Sequence, residues 1–461
     1  MTKDYRTVSF WLETCGDDLT PRLSLNGTID TDIAILGAGY SGLWTAYYLL
    51  KREPSLKVAI LEREIAGFGA SGRNGAWCSC GFPTSPGRLG QKYGKATAAS
   101  VQRAMYETVD EVCRVAVAEG IEIDWTKGGE LMVARGSEQL PTIQHDYSVL
   151  SELGLAAHAT LLGKAETDCR VKIAGTVGGL FQPDTATIHP GKLVRGLARA
   201  VERMGATIYE QTAVTGYTTG AYPALHTERG HVRAKTIVLC GEAYLSQLPK
   251  LRRQVLPVYS LITLTEPLSE KDWAEIGWQG RETVASLKYT VDYLSRTADG
   301  RILFGGRGAP YRFGSRIEPE FDRHAATHHM LMDNVRTWFP RLKDVKFTHT
   351  WGGPLGWPRD YMPSMAYDPY ENLATARGYT GNGVSTANLA GRVLTDLITG
   401  TRSELTTLPC VNHRSRNWEP EPFRFIGVWY VQRAFKKLDE QAARSGVAPS
   451  GKLLAERLTS H

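Results

Sequence analysis

Apolar positions along this chain change period several times, and the changes predict its elements. Ile33-Ala34-Ile35-Leu36 is a continuous apolar run of strand length, closed by glycines. From about Ser41 to Arg52 the spacing turns helical. Val58-Ala59-Ile60-Leu61 is then a second apolar run, ending in the acid Glu62. Val101, Met105, Val109, Val112, Cys113 and Ala116 share one helical face and predict a helix over about 96–120. Gly128-Gly129 marks a turn before a strand reaching Ala134. A helix over about 141–153 carries Pro141 in its first turn, where it is tolerated. His189-Pro190-Gly191 opens a helix that ends near Gly205. Ala206–Tyr209 and Thr236–Cys240 read as strands, the second stopping at Gly241. Strand, helix and strand in that order predict two more parallel strands beside the first pair.

The texture changes after Pro257. Ser260–Thr265, Lys288–Arg296 and Arg301–Phe304 are β-like, and a helix follows over about 323–339. This predicts an antiparallel sheet with a helix, inserted into the first unit. Leu373–Ala376 is a further strand. It leads through a glycine loop, 378–384, into a helix over about 385–398. The predicted fold class is α/β. Residues 30–95, 160–256 and 346–400 form a discontinuous nucleotide-binding domain on a βαβ sheet. Residues 96–159 and 257–345 form an interleaved α+β domain, and 401–461 a C-terminal helical extension. In that extension an aromatic run, 423–430, precedes a basic helix. Residues 1–30 are a polar lead-in with one apolar patch, Phe10-Trp11-Leu12.

Composition adds bounds. The chain has 461 residues, 42% hydrophobic and 22% charged, which suits a large globular core. The net charge of +6 is dispersed without a long basic run, so no nucleic-acid partner is expected. No apolar stretch approaches the ~18 residues of a membrane span, and the first residues lack a signal-like apolar region. No integral membrane segment and a cytoplasmic location are therefore expected. The seven cysteines are scattered and read as reduced thiols, and Cys78-Ser79-Cys80 has no second cluster to complete a metal site.

The chemistry begins in the first βαβ unit. Gly37, Gly39 and Gly42 have dinucleotide-binding spacing between a strand and a helix. Gly37 serves the tight turn, Gly39 admits a pyrophosphate, and Gly42 lets helix and strand pack closely. The helix N-terminus at Tyr40 and Ser41 points its positive dipole end at phosphate. Glu62 lies 20 residues after Gly42, where a carboxylate accepts ribose hydroxyl protons, with Arg63 beside it. The following stretch, Gly69-Ala70-Ser71-Gly72-Arg73-Asn74-Gly75-Ala76, reads as a second anion-handling loop, with small residues for close approach and an arginine for charge.

That loop resembles the Gly-Ala-Ser-Gly-Arg-Asn-Gly-Gly motif of the D-amino-acid oxidase-like FAD-dependent oxidoreductases, and departs from it at Ala76. The resemblance spans about residues 30–400 and points to the gamma-glutamylputrescine oxidase-like subgroup. It includes Asp299-Gly300-Arg301 to Gly305-Gly306-Arg307 and the Gly378-Tyr379-Thr380-Gly381-Asn382-Gly383-Val384 loop. It implies a Rossmann-type FAD domain with a substrate domain, adenine held by backbone near Val214, and a strand ending at Gly241 that passes the cofactor. The 378–384 loop faces the pyrimidine edge of the flavin. The implied reaction is hydride transfer to flavin N5 from a C–H beside an amine nitrogen, in an amine or amino-acid substrate. The imine formed hydrolyses to an aldehyde or keto acid, and oxygen or another acceptor reoxidises the flavin.

Some relatives attach FAD through a histidine in the first loop or a cysteine before the last. This chain has Arg73 at the first and no cysteine over 351–360, so non-covalent FAD is expected. Arg307, Trp351 and Lys288 are the catalytic candidates. Arg307 would pair a substrate carboxylate, Trp351 would wall the pocket, and Lys288 would assist oxygen chemistry. Tyr259 is a weaker candidate, and His189 reads as a helix cap. A flavin-dependent 2-hydroxy-acid dehydrogenase and a flavoprotein with a non-catalytic assembly role remain as alternatives.

Overall fold

The computed structural model describes residues 3–449 and 453–459. Its first layer is a six-stranded sheet in the order Ser364–Asp368, Leu373–Arg377, Thr236–Leu239, Ile33–Leu36, Val58–Leu61, Thr207–Tyr209. All neighbours are parallel except the first pair. The central strands are apolar on both faces because helices cover one side and a small four-stranded sheet lies near the other. The helices Tyr40–Arg52 and Gly383–Ile398 pack closely across Gly391, where a Cβ would lie 2.7 Å from Trp44 Cβ. Both helices therefore begin at the same, carboxyl end of the parallel strands, where open α/β sheets bind ligands.

The second layer is an eight-stranded sheet in the order Phe347–Trp357, Leu256–Thr265, Ile302–Gly306, Asp292–Arg296, Thr283–Ser286, Glu130–Ala134, Gly178–Gln182, Thr160–Gly163. Its pairs are antiparallel except Thr283–Ser286 with Glu130–Ala134. The helix Ala325–Trp338 covers one face, with Trp338 and Leu331 buried against Phe304 and Val335.

Two stretches depart from the domain boundaries read from sequence. Residues 160–182 and 347–357, expected in the nucleotide-binding part, pair into the eight-stranded sheet. The strand Phe347–Trp357 runs antiparallel to Leu256–Thr265 from Leu256 opposite Trp357 to Thr265 opposite Phe347. The polar run Thr348-His349-Thr350 near its start suits a sheet with a wet face better than a buried parallel strand. In the C-terminal extension the aromatic run is not a lead-in. Phe423–Ser445 is one helix, started by Pro422, and the aromatics are its first turns. The amino-terminal patch folds back as a short helix, Phe10–Glu13, and Phe10, Trp11 and Leu12 are buried.

Candidate active site

Two cavities meet between the layers. One, of about 510 Å³, lies over the carboxyl ends of Ile33–Leu36, Val58–Leu61 and Thr236–Leu239. The other, of about 1190 Å³, lies against the eight-stranded sheet. Ala70, Asn74, Leu355, Thr380, Gly381 and Val384 line both, so the two spaces are continuous.

The smaller cavity is a backbone cradle. Gly37 has φ +99°, and a Cβ there would stand 2.9 Å from the Cys240 carbonyl oxygen. A Cβ on Gly42 would sit 2.0 Å from the Gly37 carbonyl oxygen, so only glycine permits this strand–helix turn. Gly39 is the N-cap of Tyr40–Arg52 and offers no side-chain cap; the Ser71 hydroxyl accepts from the Tyr40 N–H at 2.8 Å, which leaves the N–H groups of Ser41 and Gly42 for a ligand. Gly37, Gly39, Tyr40, Ser41, Glu62, Arg63, Ala70, Ser71, Asn74, Val214, Gly241, Thr380, Gly381, Gly383 and Val384 all line this space. Glu62 Oε2 accepts from the Ala38 N–H at 2.9 Å and Oε1 from the Glu64 N–H at 3.0 Å. Burial pushes its pKa up to about 7 against those two bonds.

The loop after Glu62 behaves differently from its sequence reading. Arg73 does not face the cradle. Its guanidinium donates to the Phe68 and Gly352 carbonyls at 2.7 and 3.1 Å and pairs with Asp322 at 2.5 Å. It also stacks on Phe68 and borders the larger cavity. Asn74 stitches its own loop: Nδ2 donates to the Ala70 and Ser71 carbonyls, and Oδ1 accepts from the Ala76 N–H. Ala76 carries φ +68°, a left-handed conformation that glycine adopts at less cost. Ala76, Gly42 and Gly378 shape the cradle from behind and line neither cavity.

The larger cavity is built from side chains. Arg73, Asn74, Gly75, Thr380, Gly381, Asn382, Val384, Lys288 and Arg307 border it, together with Tyr293 and Glu130. Arg307 follows directly on the strand Ile302–Gly306 and stacks on Trp357, with its guanidinium carbon 4.3 Å from the ring centre. Its Nη2 reaches the Thr380 carbonyl at 3.5 Å. No carboxylate pairs with it among the described residues, and burial brings its pKa down to about 10. A half-buried cation facing a cavity without a counter-ion is a receiver for an anion. Lys288 is already paired with Asp292 at 3.0 Å.

Three expectations are corrected or resolved here. Trp351 lines neither of these two cavities. It is 1% exposed, packs with Phe10, Trp11 and Ala76, and donates its indole N–H to the Arg73 carbonyl at 2.9 Å. Tyr259 is buried edge-on against Phe321 and lines neither space. His189 caps the helix Pro190–Arg203, its Nδ1 accepting from the Lys192 N–H at 3.1 Å.

The sequence reading missed Glu242. It sits one residue past Gly241 with φ +47°. Its carboxylate accepts from the N–H groups of Gly356, Gly378 and Tyr379 at 2.5, 2.9 and 3.1 Å. That clamp ties the last strand of one layer to the loop that opens Gly383–Ile398. An acid just beyond an apolar strand was the available signal, the same one that marked Glu62. Tyr379, whose hydroxyl meets Ser41 Oγ at 2.7 Å, closes the cradle on the other side.

Comparison with known proteins agrees with this geometry. Residues 32–397 match the model of a family described as FAD dependent oxidoreductase. The chain is similar to gamma-glutamylputrescine oxidoreductase of Escherichia coli (strain K12), 31% identical over 381 residues, covering 82% of this chain and 85% of that protein. It is similar to glycine oxidase of Geobacillus kaustophilus (strain HTA426), 23% identical, with 80% and 92% covered. The solved structure of a glycine oxidase from Geobacillus kaustophilus superposes with a TM-score of 0.70 at 21% identity, over 84% of this chain and 99% of that one. An L-amino acid deaminase from Proteus myxofaciens in complex with anthranilate gives 0.66 at 17% identity, over 85% and 95%.

Proposed function

This chain belongs to the family of FAD-dependent oxidoreductases that its residues 32–397 match, and on that premise we propose that it oxidises the C–N bond of an amine or amino acid that carries a carboxylate. The residues present fit the cofactor. Gly37 and Gly39 leave open the space that side chains would fill, Glu62 is a buried acceptor for ribose hydroxyls, and the joined cavities provide for both ends of a flavin dinucleotide. FAD bound there supplies an acceptor for a hydride from a carbon beside nitrogen. Neither a histidine in the 69–76 loop nor a cysteine over 351–360 is present for covalent attachment, so the flavin is held non-covalently.

The protein's own part is placement. Arg307 takes the carboxylate of the substrate and so fixes which carbon meets the Thr380–Asn382 loop. The reacting amine must be neutral, and withdrawal from bulk water on binding favours loss of its extra proton. Loss of hydride from carbon and proton from nitrogen leaves an imine, which water converts to an aldehyde or keto acid and a free amine or ammonia. Oxygen or another acceptor restores the oxidised cofactor. The observation that carries this reading is the half-buried Arg307, without a counter-ion among the described residues, at the junction of the cavity and the 380–382 loop. The test is product identity with a panel of amines, amino acids and 2-hydroxy acids. An aldehyde or keto acid with released nitrogen is expected. Turnover of hydroxy acids alone would move the assignment to a 2-hydroxy-acid dehydrogenase.

A further inference from the structure

The larger cavity holds an acid that neither the cradle nor Arg307 uses. Glu130 and Met132 are alternate residues of the strand Glu130–Ala134, and both face this space. Glu130 Oε2 accepts from Ser79 Oγ and Thr185 Oγ1, each at 3.2 Å. Oε1 has no partner among the described residues, and it is not among the sealed, partnerless atoms of the interior. It therefore opens onto the cavity. No lysine, arginine or histidine pairs with Glu130 among the described residues, and only the two hydroxyls oppose the effect of its burial.

Its acidic neighbours are placed otherwise. Asp439 accepts from the Tyr289 and Thr290 N–H groups and the Thr290 hydroxyl, and Asp146 stands on the exposed rim. Glu130 and Arg307 are thus charges of opposite sign that line the space a substrate would fill and have no ion-pair partner among the described residues.

We propose that Glu130 receives a second, cationic nitrogen of the substrate, so that the cavity selects amines bearing a distal ammonium group. The inference rests on the amine-oxidising reading above and adds a specificity residue to it. Oε1 keeps lone pairs for N–H donors while the hydroxyls hold Oε2 in place, which fixes the direction of approach. A substrate without the second nitrogen leaves a buried acceptor unmatched. Discrimination against it is therefore larger than a single lost contact between two solvated groups would give.

The test compares diaminobutane with aminobutanol, which has the same chain length and a neutral far end. Binding to the flavin-loaded protein is read as a perturbation of flavin absorbance, and oxidation as anaerobic bleaching. The wild type is expected to bind the diamine roughly 10- to 100-fold more tightly. Glu130→Gln keeps an acceptor for Ser79 and Thr185 and is expected to fold, with the two probes brought to similar affinity. Glu130→Asp should keep the sign of the preference. A wild type that binds the probes equally, or binds neither, overturns the proposal, as does a Glu130→Gln protein with the preference intact. A preserved binding preference without bleaching by any amine supports Glu130 as the cation receiver while sinking the amine-oxidation reading.

Discussion

The cradle and the larger cavity adjoin, yet they are made of different material. The cradle is built on one βαβ turn: Gly37, Gly39, the N-terminus of Tyr40–Arg52 and the Glu62 carboxylate come from a single run of 31 residues, 32–62, and loops around 69–74, 241–245 and 379–383 complete its lining. The cavity is mostly side chains, brought by strands that lie far apart in sequence. Glu130 meets hydroxyls 51 and 55 residues away, and Arg73 meets Asp322 across 249. Backbone recognition of a constant cofactor tolerates few substitutions, because the space itself is the binding feature. Side-chain recognition of a substrate leaves the fold intact when one charge is changed.

The largest effect that sharpens this contrast is at Gly39. A Cβ there meets only Ser71 Oγ at 3.0 Å, so Gly39→Val is expected to fold. Its branches would occupy the approach of the pyrophosphate and lower FAD affinity by roughly 100-fold. Flavin content after dialysis reads this, and a fully yellow variant would break the cradle account.

Arg307→Gln should act on the substrate side alone. KM for carboxylate-bearing amines is expected to rise roughly 100-fold, with flavin content unchanged and amines lacking a carboxylate little affected. Steady-state kinetics with both classes checks it. Equal losses for both classes would make Arg307 a structural residue.

Glu62→Gln is expected to weaken FAD by roughly tenfold, by removing a charge-assisted acceptor. It also carries a pH signature in the flavin-free protein. The folded pKa, about 7, lies above the ordinary carboxyl value of 4.5. The stabilisation from the protonated form is complete below about pH 4.5 and is lost as pH rises through about 7, on the order of 3 kcal/mol in all. Thermal melts of the apoprotein should therefore show a decline across that window that is absent in Glu62→Gln. Parallel profiles for the two proteins would refute it.

The smallest effect belongs to Trp351. Trp351→Phe should cost stability by about 1–2 kcal/mol through a lost indole hydrogen bond and a small void, with little change in KM. A large KM change would return Trp351 to the substrate wall.

The same contrast explains what was legible. The βαβ unit, its glycines and Glu62 could be read because their roles depend on neighbours within a few residues and on period. The parallel pairing of Thr207–Tyr209 with Val58–Leu61 and of Thr236–Leu239 with Ile33–Leu36 followed from strand–helix–strand order. Trp351 could not be placed, since a buried indole and a cavity wall have the same local pattern. Arg73 was misread because its partner, Asp322, arrives from another layer. Glu242 and Glu130 passed unnoticed because an acid near a strand end gains meaning only from the N–H groups or hydroxyls that converge on it. Sheet membership of 160–182 and 347–357 was lost for a related reason, since it depends on strands remote in sequence.

Anaerobic reduction of the bound flavin by an amino acid, set beside its 2-hydroxy analogue, tests the central claim most directly. Bleaching at the flavin band by the amino acid, with an aldehyde or keto acid and released nitrogen in equal amount to reduced flavin, is the predicted result. Bleaching by the hydroxy acid alone, or by neither compound nor any other amine, would contradict it.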